Sequence, residues 1–289
     1  MTEVGTGEIV RFPITGEIYI GQVIRSGGSS FVYEAFDSHQ NRFAIKIIRA
    51  NAKDDGITQR VENEISNPLP QSSHIVKPIE HVIIESFGLK IPCILFEYVA
   101  SKEVADYLTH NEPTKEGLSR RLTAAKNMAM CIQHVHGFGY THGDISPKNF
   151  LLDDTDDSIR MIDFETLSVV GGEPLVRSWA NKDYMAPEVD QHGPVAISQN
   201  SDVWSFGLLL IEWLSPQVWK QDNFDEGWAK KFNHRKMSSK SNVVGSILES
   251  KAPSGLKHIW PWITSALSID LNKRQPIELL IQIMEGEER

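Results

Sequence analysis

The spacing of apolar residues changes near residue 99 from a period of two to a helical period. Before it, five segments rich in β-branched and aromatic residues predict strands, and the polar stretch 58–67 before Pro68 predicts one helix. The strand segments are 18–25, 30–37, 42–48, 75–85 and 89–98. After it, apolar steps of three and four from Leu118 to Val135 predict a long helix, and 201–214 is apolar nearly all round, which indicates a buried helix. Pro276 is placed to open a last helix. We therefore expect an α+β protein with a five-stranded antiparallel sheet and one helix in residues 1–98 and a mainly helical part in 99–289.

Composition excludes several classes of function. The net charge of −9 argues against nonspecific binding to nucleic acid or to an anionic membrane surface. Two cysteines, Cys93 and Cys131, in apolar surroundings fit neither a disulfide framework nor a zinc site. Residues 1–5 lack the pattern of a signal peptide, and no apolar run is long enough to span a bilayer. We expect a soluble, cytoplasmic protein without nucleic-acid partners or membrane insertion, and the sequence leaves its oligomeric state open.

One loop groups residues suited to phosphoryl transfer. His142 to Asn149 contains Asp144, Lys148 and Asn149 directly after the long predicted helix, and Asp163 follows Asn149 by fourteen residues after a strand-like segment. One carboxylate can accept the proton of an attacking hydroxyl, while amide and carboxylate oxygens are the ligands that Mg²⁺ prefers. The set predicts a site where a metal-bound nucleotide is used.

Two features of residues 1–98 are weak indications of function when each is taken alone. Gly27 and Gly28 would let backbone N–H groups approach a phosphate, but a plain hairpin turn explains them equally well. Lys46 shares a strand face with Ala44, where it either needs an anionic partner or points to water at a sheet edge. Glu62 and Glu64 are the carboxylates on the following helix, and we select Glu64 because Ile65 beside it would pack inward.

The chain resembles the eukaryotic-type protein kinases over nearly its whole length, about residues 19–284, through motifs that follow the family's order. These are the hairpin 25–32, Phe43-Ala44-Ile45-Lys46, Glu64-Ile65-Ser66, Phe96-Glu97-Tyr98-Val99, His142-Gly143-Asp144 with Asn149, Asp163-Phe164, Tyr184-Met185-Ala186-Pro187-Glu188, Ser201-Asp202-Val203-Trp204-Ser205-Phe206-Gly207 and Asp270-Leu271-Asn272-Lys273-Arg274. The resemblance implies a bilobal fold, an N-lobe and a C-lobe forming one kinase domain, with ATP and Mg²⁺ as cofactors and a protein substrate.

The resemblance also implies roles for particular residues. Lys46 would hold the α- and β-phosphates and pair with Glu64. Asp144 would be the catalytic base, and Asn149 and Asp163 would bind Mg²⁺. Glu188 would pair with Arg274, and Asp202 would anchor the backbone of the catalytic loop. The remaining nucleotide-binding positions would be Ile24, Gly27, Gly28, Val32, Ala44, Phe96 as gatekeeper, Glu97, Val99 and Leu151.

Several positions depart from the family pattern. In the hairpin, Arg25 and Ser30 stand where the family has two glycines. Gly143 stands where the family has an arginine that binds a phosphate on the activation loop, and Glu165 stands where it has the glycine of Asp-Phe-Gly. Ser146 replaces a lysine, and Asn181 replaces a threonine. We expect Lys148 to supply the charge missing at Ser146, and we expect activity without phosphate on Thr166, Ser168 or Ser178. Glu165 could bind the metal, add negative charge or restrict Phe164, and the sequence does not choose among these.

Three functions remain open. We expect an active protein kinase, and residues 184–188 indicate a preference for Ser or Thr hydroxyls. A pseudokinase that binds nucleotide or a protein partner is favoured by the departures. A small-molecule kinase is suggested only by His142-Gly143-Asp144.

Overall fold

The computed structural model describes residues 5–28, 30–49, 57–86, 88–108, 113–153, 155–173, 181–221 and 252–286. It divides into two compact units, Met1–Ala100 and Ser101–Arg289. The first is mainly strand and the second mainly helix, as the change of period predicted. The polar stretch 220–242, predicted to be a surface excursion, lies outside the described residues except for the last two residues of a helix.

The first unit is built on one antiparallel sheet of six strands in the order β1-β2-β3-β4-β6-β5. The strands are β1 Ile9–Phe12, β2 Gly16–Ser26, β3 Ser30–Phe36, β4 Arg42–Ile48, β5 Pro78–Ser86 and β6 Leu89–Glu97, and helix α1, Ile57–Ile65, lies between β4 and β5 in the chain. The five predicted strands are all present. The sixth, β1, has only four residues, too few for a periodic pattern to distinguish it from a loop.

Alternation along β4 separates the core from the opposite face of the sheet. Ile45 and Ile47 lie in the buried apolar cluster of this unit, and Phe43 packs against it. Successive side chains of a strand point to opposite faces, so Ala44 and Lys46 face away from that cluster. This arrangement matches the prediction from the sequence and leaves Lys46 on a face where it needs a polar partner.

A buried carboxylate joins the turn after β1 to strand β5. Glu80 accepts hydrogen bonds from the N–H groups of Ile14 at 2.6 Å and Thr15 at 2.9 Å and from the Thr15 hydroxyl at 2.8 Å. Burial raises the pKa of Glu80, but the hydrogen bonds from Thr15 and Ile14 outweigh it and hold the pKa below its ordinary value of 4.5. Because β1 and β5 end the strand order, this carboxylate ties the two edges of the sheet together.

The second unit is organised around two long helices. Thr114 caps α2, Lys115–Gly137, by accepting the N–H of Gly117, and a capping box of Ser198 and Ser201 opens α4, Gln199–Leu214. Within the described part of this unit the other α-helices are α3 Pro187–His192, α5 Pro216–Gln221, α6 Trp260–Ala266 and α7 Ile277–Gly286. The predicted long, buried and last helices are all found. Among the residues that the structure describes, no helix combines the length and apolar character needed to cross a membrane.

Short strands hold the predicted catalytic loop at both ends. The loop runs from β8, Tyr140–Thr141, through a 3-10 turn at Pro147–Asn149 to β9, Phe150–Leu152. Strand β9 pairs with β7, Lys102–Glu103, and with β10, Ile159–Met161, while β8 pairs with β11, Ser168–Val169. Asp163 lies two residues after the end of β10, so the pairing of β9 with β10 brings the two polar segments side by side.

We expect Glu80→Gln to lower the free energy of unfolding at pH 7 by about 1–3 kcal/mol, because the charged acceptor of three hydrogen bonds is lost. The folded pKa lies below the unfolded one, so the carboxylate stabilises the fold above pH 4.5 and loses this effect as the pH falls through the folded pKa. The difference between wild type and variant should therefore shrink on acidification.

Urea unfolding between pH 3 and pH 7 measures this difference. The matched control is Glu85→Gln, an exposed carboxylate on the same strand. An equal loss of unfolding free energy in both variants would contradict the role assigned to the Glu80 carboxylate. A difference between wild type and Glu80→Gln that is independent of pH would also contradict it.

Candidate active site

A buried aspartate on helix α4 holds the beginning of the catalytic loop. Asp202 accepts the backbone N–H of His142 at 2.8 Å and that of Gly143 at 2.9 Å, and His136 Nε2 lies 2.9 Å from its Oδ2. Asp202 is 1% exposed, so these hydrogen bonds form away from water, where they are strong. The anchoring role inferred from the resemblance is confirmed for Asp202, while the contact with His136 was not predicted.

Asp144 has a hydrogen-bond donor on each carboxylate oxygen. The Asn149 side-chain Nδ2 donates to Asp144 Oδ2 at 3.0 Å and to the Asp144 backbone carbonyl at 2.8 Å. The Asn181 backbone N–H donates to Asp144 Oδ1 at 2.6 Å. The carboxylate is thereby held in one orientation, and the structure brings together the predicted pair Asp144 and Asn149.

The electrostatic surroundings make Asp144 more basic than an ordinary aspartate. Burial raises its pKa most, and the negative charge of Asp163 raises it further. The hydrogen bonds from Asn181 and Asn149 and the neighbouring His142 act in the opposite direction without reversing the shift. A carboxylate of raised pKa accepts a proton more readily, which suits a general base.

Asp163 has an unusual backbone conformation. Its φ is +67°, in the left-handed region that non-glycine residues adopt at a cost of about 1–2 kcal/mol. The next residue, Phe164, is fully buried with its ring centroid 5.3 Å from that of His142. Ile162 N–H donates to the Asn149 carbonyl at 3.0 Å. These contacts maintain the conformation and keep Asp163 beside the loop that carries Asn149.

Lys46 and Glu64 form a buried ion pair in the first unit. Lys46 Nζ lies 3.4 Å from Glu64 Oε2, and the two residues are 6% and 1% exposed. Glu62, the alternative carboxylate, is exposed. The structure thus joins Lys46 to the helix residue selected from sequence, and each charge compensates the desolvation of the other.

The other predicted nucleotide-binding positions in the first unit lie on or next to the strands. Val32 is opposite Lys46 in the register of β3 and β4, and Ala44 is opposite Phe96 in that of β4 and β6. Phe96 is buried and Ile24 exposed, while Glu97 and Val99 are half-buried. Gly27 N–H donates to Ser30 O at 2.9 Å and closes the hairpin turn, with Gly28 exposed next to it. In the second unit, Leu151 is half-buried on β9 and Lys148 is exposed.

Comparison with known proteins decides the family. The protein kinase domain model matches residues 19–282. The chain belongs to the protein kinase family. It is 29% identical over 209 residues to the dual specificity protein kinase Ttk of Danio rerio, which covers 67% of this chain and 20% of Ttk. It is 30% identical over 210 residues to testis-specific serine/threonine-protein kinase 3 of Homo sapiens, covering 69% of this chain and 74% of that protein. For serine/threonine-protein kinase PrkC of Bacillus subtilis the identity is 27% over 214 residues, with 71% of this chain and 31% of PrkC covered.

A bidentate ion pair of this kinase domain is confirmed. Arg274 donates from its two terminal nitrogens to the Glu188 carboxylate at 2.6 and 2.9 Å. It also donates to the backbone carbonyls of Asn200 and Ser268, each at 2.8 Å. The guanidinium therefore joins the start of α3, the start of α4 and the segment after α6, which gives it a structural role.

The glycine that replaces the family's arginine is enforced by packing. Gly143 has φ +81°, and a Cβ atom there would lie 2.9 Å from the carbonyl oxygen of Thr166. The Thr166 hydroxyl donates to the His142 carbonyl at 2.7 Å and the residue is 4% exposed. Position 143 thus has no room for an arginine in this conformation. Thr166, considered above as a phosphate acceptor, has its hydroxyl buried and hydrogen-bonded instead, whereas Ser168 is half-buried and Ser178 lies outside the described residues.

We expect Gly143→Ala to destabilise the domain more than Gly139→Ala. Both positions have positive φ, so each substitution costs about 1–2 kcal/mol of backbone strain. Only at Gly143 would the new methyl group meet backbone, since nothing lies within 4 Å of a Cβ at Gly139. This steric term adds roughly 1–3 kcal/mol. Denaturant unfolding of both variants measures the difference, and equal costs would show that residue 166 leaves space for a side chain.

Proposed function

We propose that the chain is an ATP- and Mg²⁺-dependent protein kinase that transfers the γ-phosphate to a Ser or Thr hydroxyl of a protein substrate. The observation that carries this proposal is the state of Asp144, whose raised pKa and two fixed donors suit a general base for a hydroxyl group. The similarity to kinases with serine/threonine in their names supports the choice of hydroxyl. The negative net charge favours basic substrate segments.

Asp144 would act on the proton of the acceptor hydroxyl. As the hydroxyl oxygen bonds to the γ-phosphorus, its proton moves to an Asp144 oxygen, and the bond from that phosphorus to the β–γ bridging oxygen breaks to leave ADP. Each carboxylate oxygen has two lone pairs, so one donor on each oxygen still leaves a position for this proton. Asn149 fixes the angle of the carboxylate toward the hydroxyl.

Asn149 and Asp163 would hold Mg²⁺, and their chemistry fits the ion. The Asn149 side-chain nitrogen is committed to Asp144, which leaves the amide oxygen as its ligand atom. The negative charge of Asp163 already raises the pKa of Asp144, so a divalent cation would relieve repulsion between the two carboxylates. When bound, the ion would neutralise phosphate charge.

The first unit would bind the nucleotide. Lys46, oriented by its ion pair with Glu64, would hold the α- and β-phosphates. Gly28 has no positive φ, and a Cβ there would meet nothing within 4 Å, so the turn itself does not require glycine. Close approach of the backbone to phosphate is the reason we propose for it. Ile24, Val32 and Ala44 of this unit would contact the adenine ring, and the backbone of Glu97 and Val99 would hydrogen-bond it beside Phe96.

Lys148 would supply positive charge to the γ-phosphate in place of the lysine that the family pattern has at position 146. Ser146 is buried, whereas Lys148 is exposed two residues later and has a long flexible side chain. Lys148→Ala should lower kcat and leave nucleotide binding nearly intact. Unchanged turnover would remove Lys148 from the proposal.

A second candidate is a pseudokinase that binds nucleotide or a protein partner. It is favoured by Arg25 and Ser30 in the hairpin and by Glu165, which is buried beside Asp163. Against it, all four groups that the chemistry needs are present, namely Lys46, Asp144, Asn149 and Asp163.

Phosphate transfer separates the candidates. We expect the protein with Mg²⁺ and γ-labelled ATP to release ADP and to label itself or a basic protein substrate, and we expect Asp163→Asn and Asp144→Asn to reduce this by about 10²-fold or more. Both variants keep the side-chain volume, so unfolding curves check that they fold. Nucleotide binding without transfer would support the pseudokinase, and ADP release only with an added small metabolite would support a small-molecule kinase.

We expect activity to be independent of phosphate on the segment after Asp163. Thr166 is buried, and Gly143 removes the guanidinium that would receive a phosphate. Phosphatase-treated protein and the double variant Ser168→Ala, Ser178→Ala should retain turnover within about twofold of untreated wild type. A loss of turnover in folded protein, restored by Ser168→Asp or Ser178→Asp, would contradict this expectation.

A further inference from the structure

Arg42, the first residue of β4, contacts segments on both sides of its strand. Its Nε donates to Glu34 Oε1 on β3 at 2.8 Å, and its Nη2 donates to the same oxygen. Its Cζ lies 3.9 Å from the centroid of the Tyr98 ring, within the range of a cation–π contact. The guanidinium therefore joins a carboxylate on one neighbouring strand to an aromatic ring at the end of the other.

Tyr98 occupies a special place relative to the proposed adenine contacts. It is the first residue after β6, between Glu97 and Val99. The two peptide groups attached to the Tyr98 Cα carry the Glu97 carbonyl and the Val99 N–H. Each peptide group is planar and turns as a unit about its bonds to the Cα atoms. A contact that fixes the Tyr98 ring therefore also restricts the directions in which this carbonyl and this N–H point.

The register of the sheet places the contact in line with the proposed nucleotide face. Side chains alternate along β4, so Arg42 shares a face with Ala44 and Lys46. Glu34 is directly opposite Ala44 in the pairing of β3 with β4, which puts it on the same face. Phe43 is opposite Glu97, so Arg42 and Tyr98 follow where β4 and β6 end. The row of Glu34, Arg42 and Tyr98 thus borders the residues proposed to contact the adenine ring.

A second ion pair of the same unit has the same form without this position. Arg11 Nε donates to Glu17 Oε1 at 2.9 Å, and its Nη2 lies 2.8 Å from the same oxygen. Arg11 lies on β1, which two strands separate from β4 in the sheet order. Arg11 therefore provides a matched comparison for an arginine that pairs with a glutamate and does not border the segment 97–99.

We propose that Arg42 is a positioning residue for nucleotide binding, which acts through the ring of Tyr98 to hold the Glu97 carbonyl and the Val99 N–H toward adenine. The inference rests on the proposed function, in which the backbone of Glu97 and Val99 binds that base. Glu34 keeps the guanidinium over the ring by binding two of its nitrogens.

Dissociation constants of Mg²⁺-ADP, measured with the full chain, test this role. The variants are Arg42→Gln, Tyr98→Leu and the double variant, and Arg11→Gln is the control that removes a guanidinium from an ion pair of the same form. The KM for ATP and kcat are measured with a peptide substrate. The Arg42 side chain is 49% exposed, so its replacement should leave the fold intact, and urea unfolding checks this for every variant.

Arg42→Gln should raise the dissociation constant of ADP about two- to fivefold, as expected for a half-exposed cation–π contact. The KM for ATP should rise by a similar factor while kcat stays within about twofold, because uniform binding is lost and the groups at the γ-phosphorus are unchanged. The double variant should bind ADP as tightly as Tyr98→Leu alone, because Arg42 acts through the ring. Arg11→Gln should bind ADP like wild type.

The double variant also excludes a simpler effect of charge. A guanidinium could attract the anionic nucleotide over a distance, and such attraction would persist without the ring. If Arg42→Gln weakens ADP binding as much in the Tyr98→Leu background as in wild type, the proposed positioning role is wrong. Equal losses of affinity in Arg42→Gln and Arg11→Gln would also overturn it, as would a fall in kcat without a change in the affinity for ADP.

Failure of the underlying function gives a different result. If wild type binds no ADP, the proposed nucleotide site fails, and the role of Arg42 fails with it. If wild type binds ADP and Arg42→Gln binds it equally well, the nucleotide site stands and only the role of Arg42 is overturned.

Discussion

The carboxylate of Asp202 is the interaction on which the catalytic segment depends. It lies on the buried helix α4 and receives the N–H groups of the first two loop residues, His142 and Gly143, with His136 of α2 beside it. An unpaired charge at this depth would be strongly destabilising, so the helix and the loop must be placed together. The same helix carries Glu212, which holds Tyr184 and the turn that donates to Asp144. Helix α4 therefore determines the position of the proposed base from two sides.

The environment of Asp144 is a balance of opposing effects. Burial and Asp163 raise its pKa, while donors from Asn149 and Asn181 stabilise the charged form. Without the donors, the carboxylate would already carry a proton and could not accept the proton of the hydroxyl. In water, the carboxylate would be a weaker base. A base inside a protein needs both effects, and here they come from different segments of the second unit.

Departures from the family pattern have different physical meanings. Gly143 is required by packing against Thr166, so the missing arginine reflects a different local structure rather than only the loss of a phosphate site. Asn181 lacks the hydroxyl expected at its position, but the backbone N–H of the same residue contacts Asp144. In the first unit, Lys46 and Glu64 keep the pair that the family pattern implies. Departure at a motif position is therefore compatible with an intact set of interactions.

The sequence by itself determined the succession of strands and helices, the face of β4 on which Lys46 lies, and the order of Asp144, Asn149 and Asp163. These properties follow from local periodicity and from the chemistry of individual side chains, both of which can be read along the chain. Only the tertiary structure decided that Glu80 accepts hydrogen bonds from a turn 65 and 66 residues away. It also decided that Thr166 is buried against position 143 and that a peptide N–H donates to the Asp144 carboxylate. Every residue except proline has such an N–H, so no sequence pattern marks the one that matters, and packing alone brings it to the carboxylate.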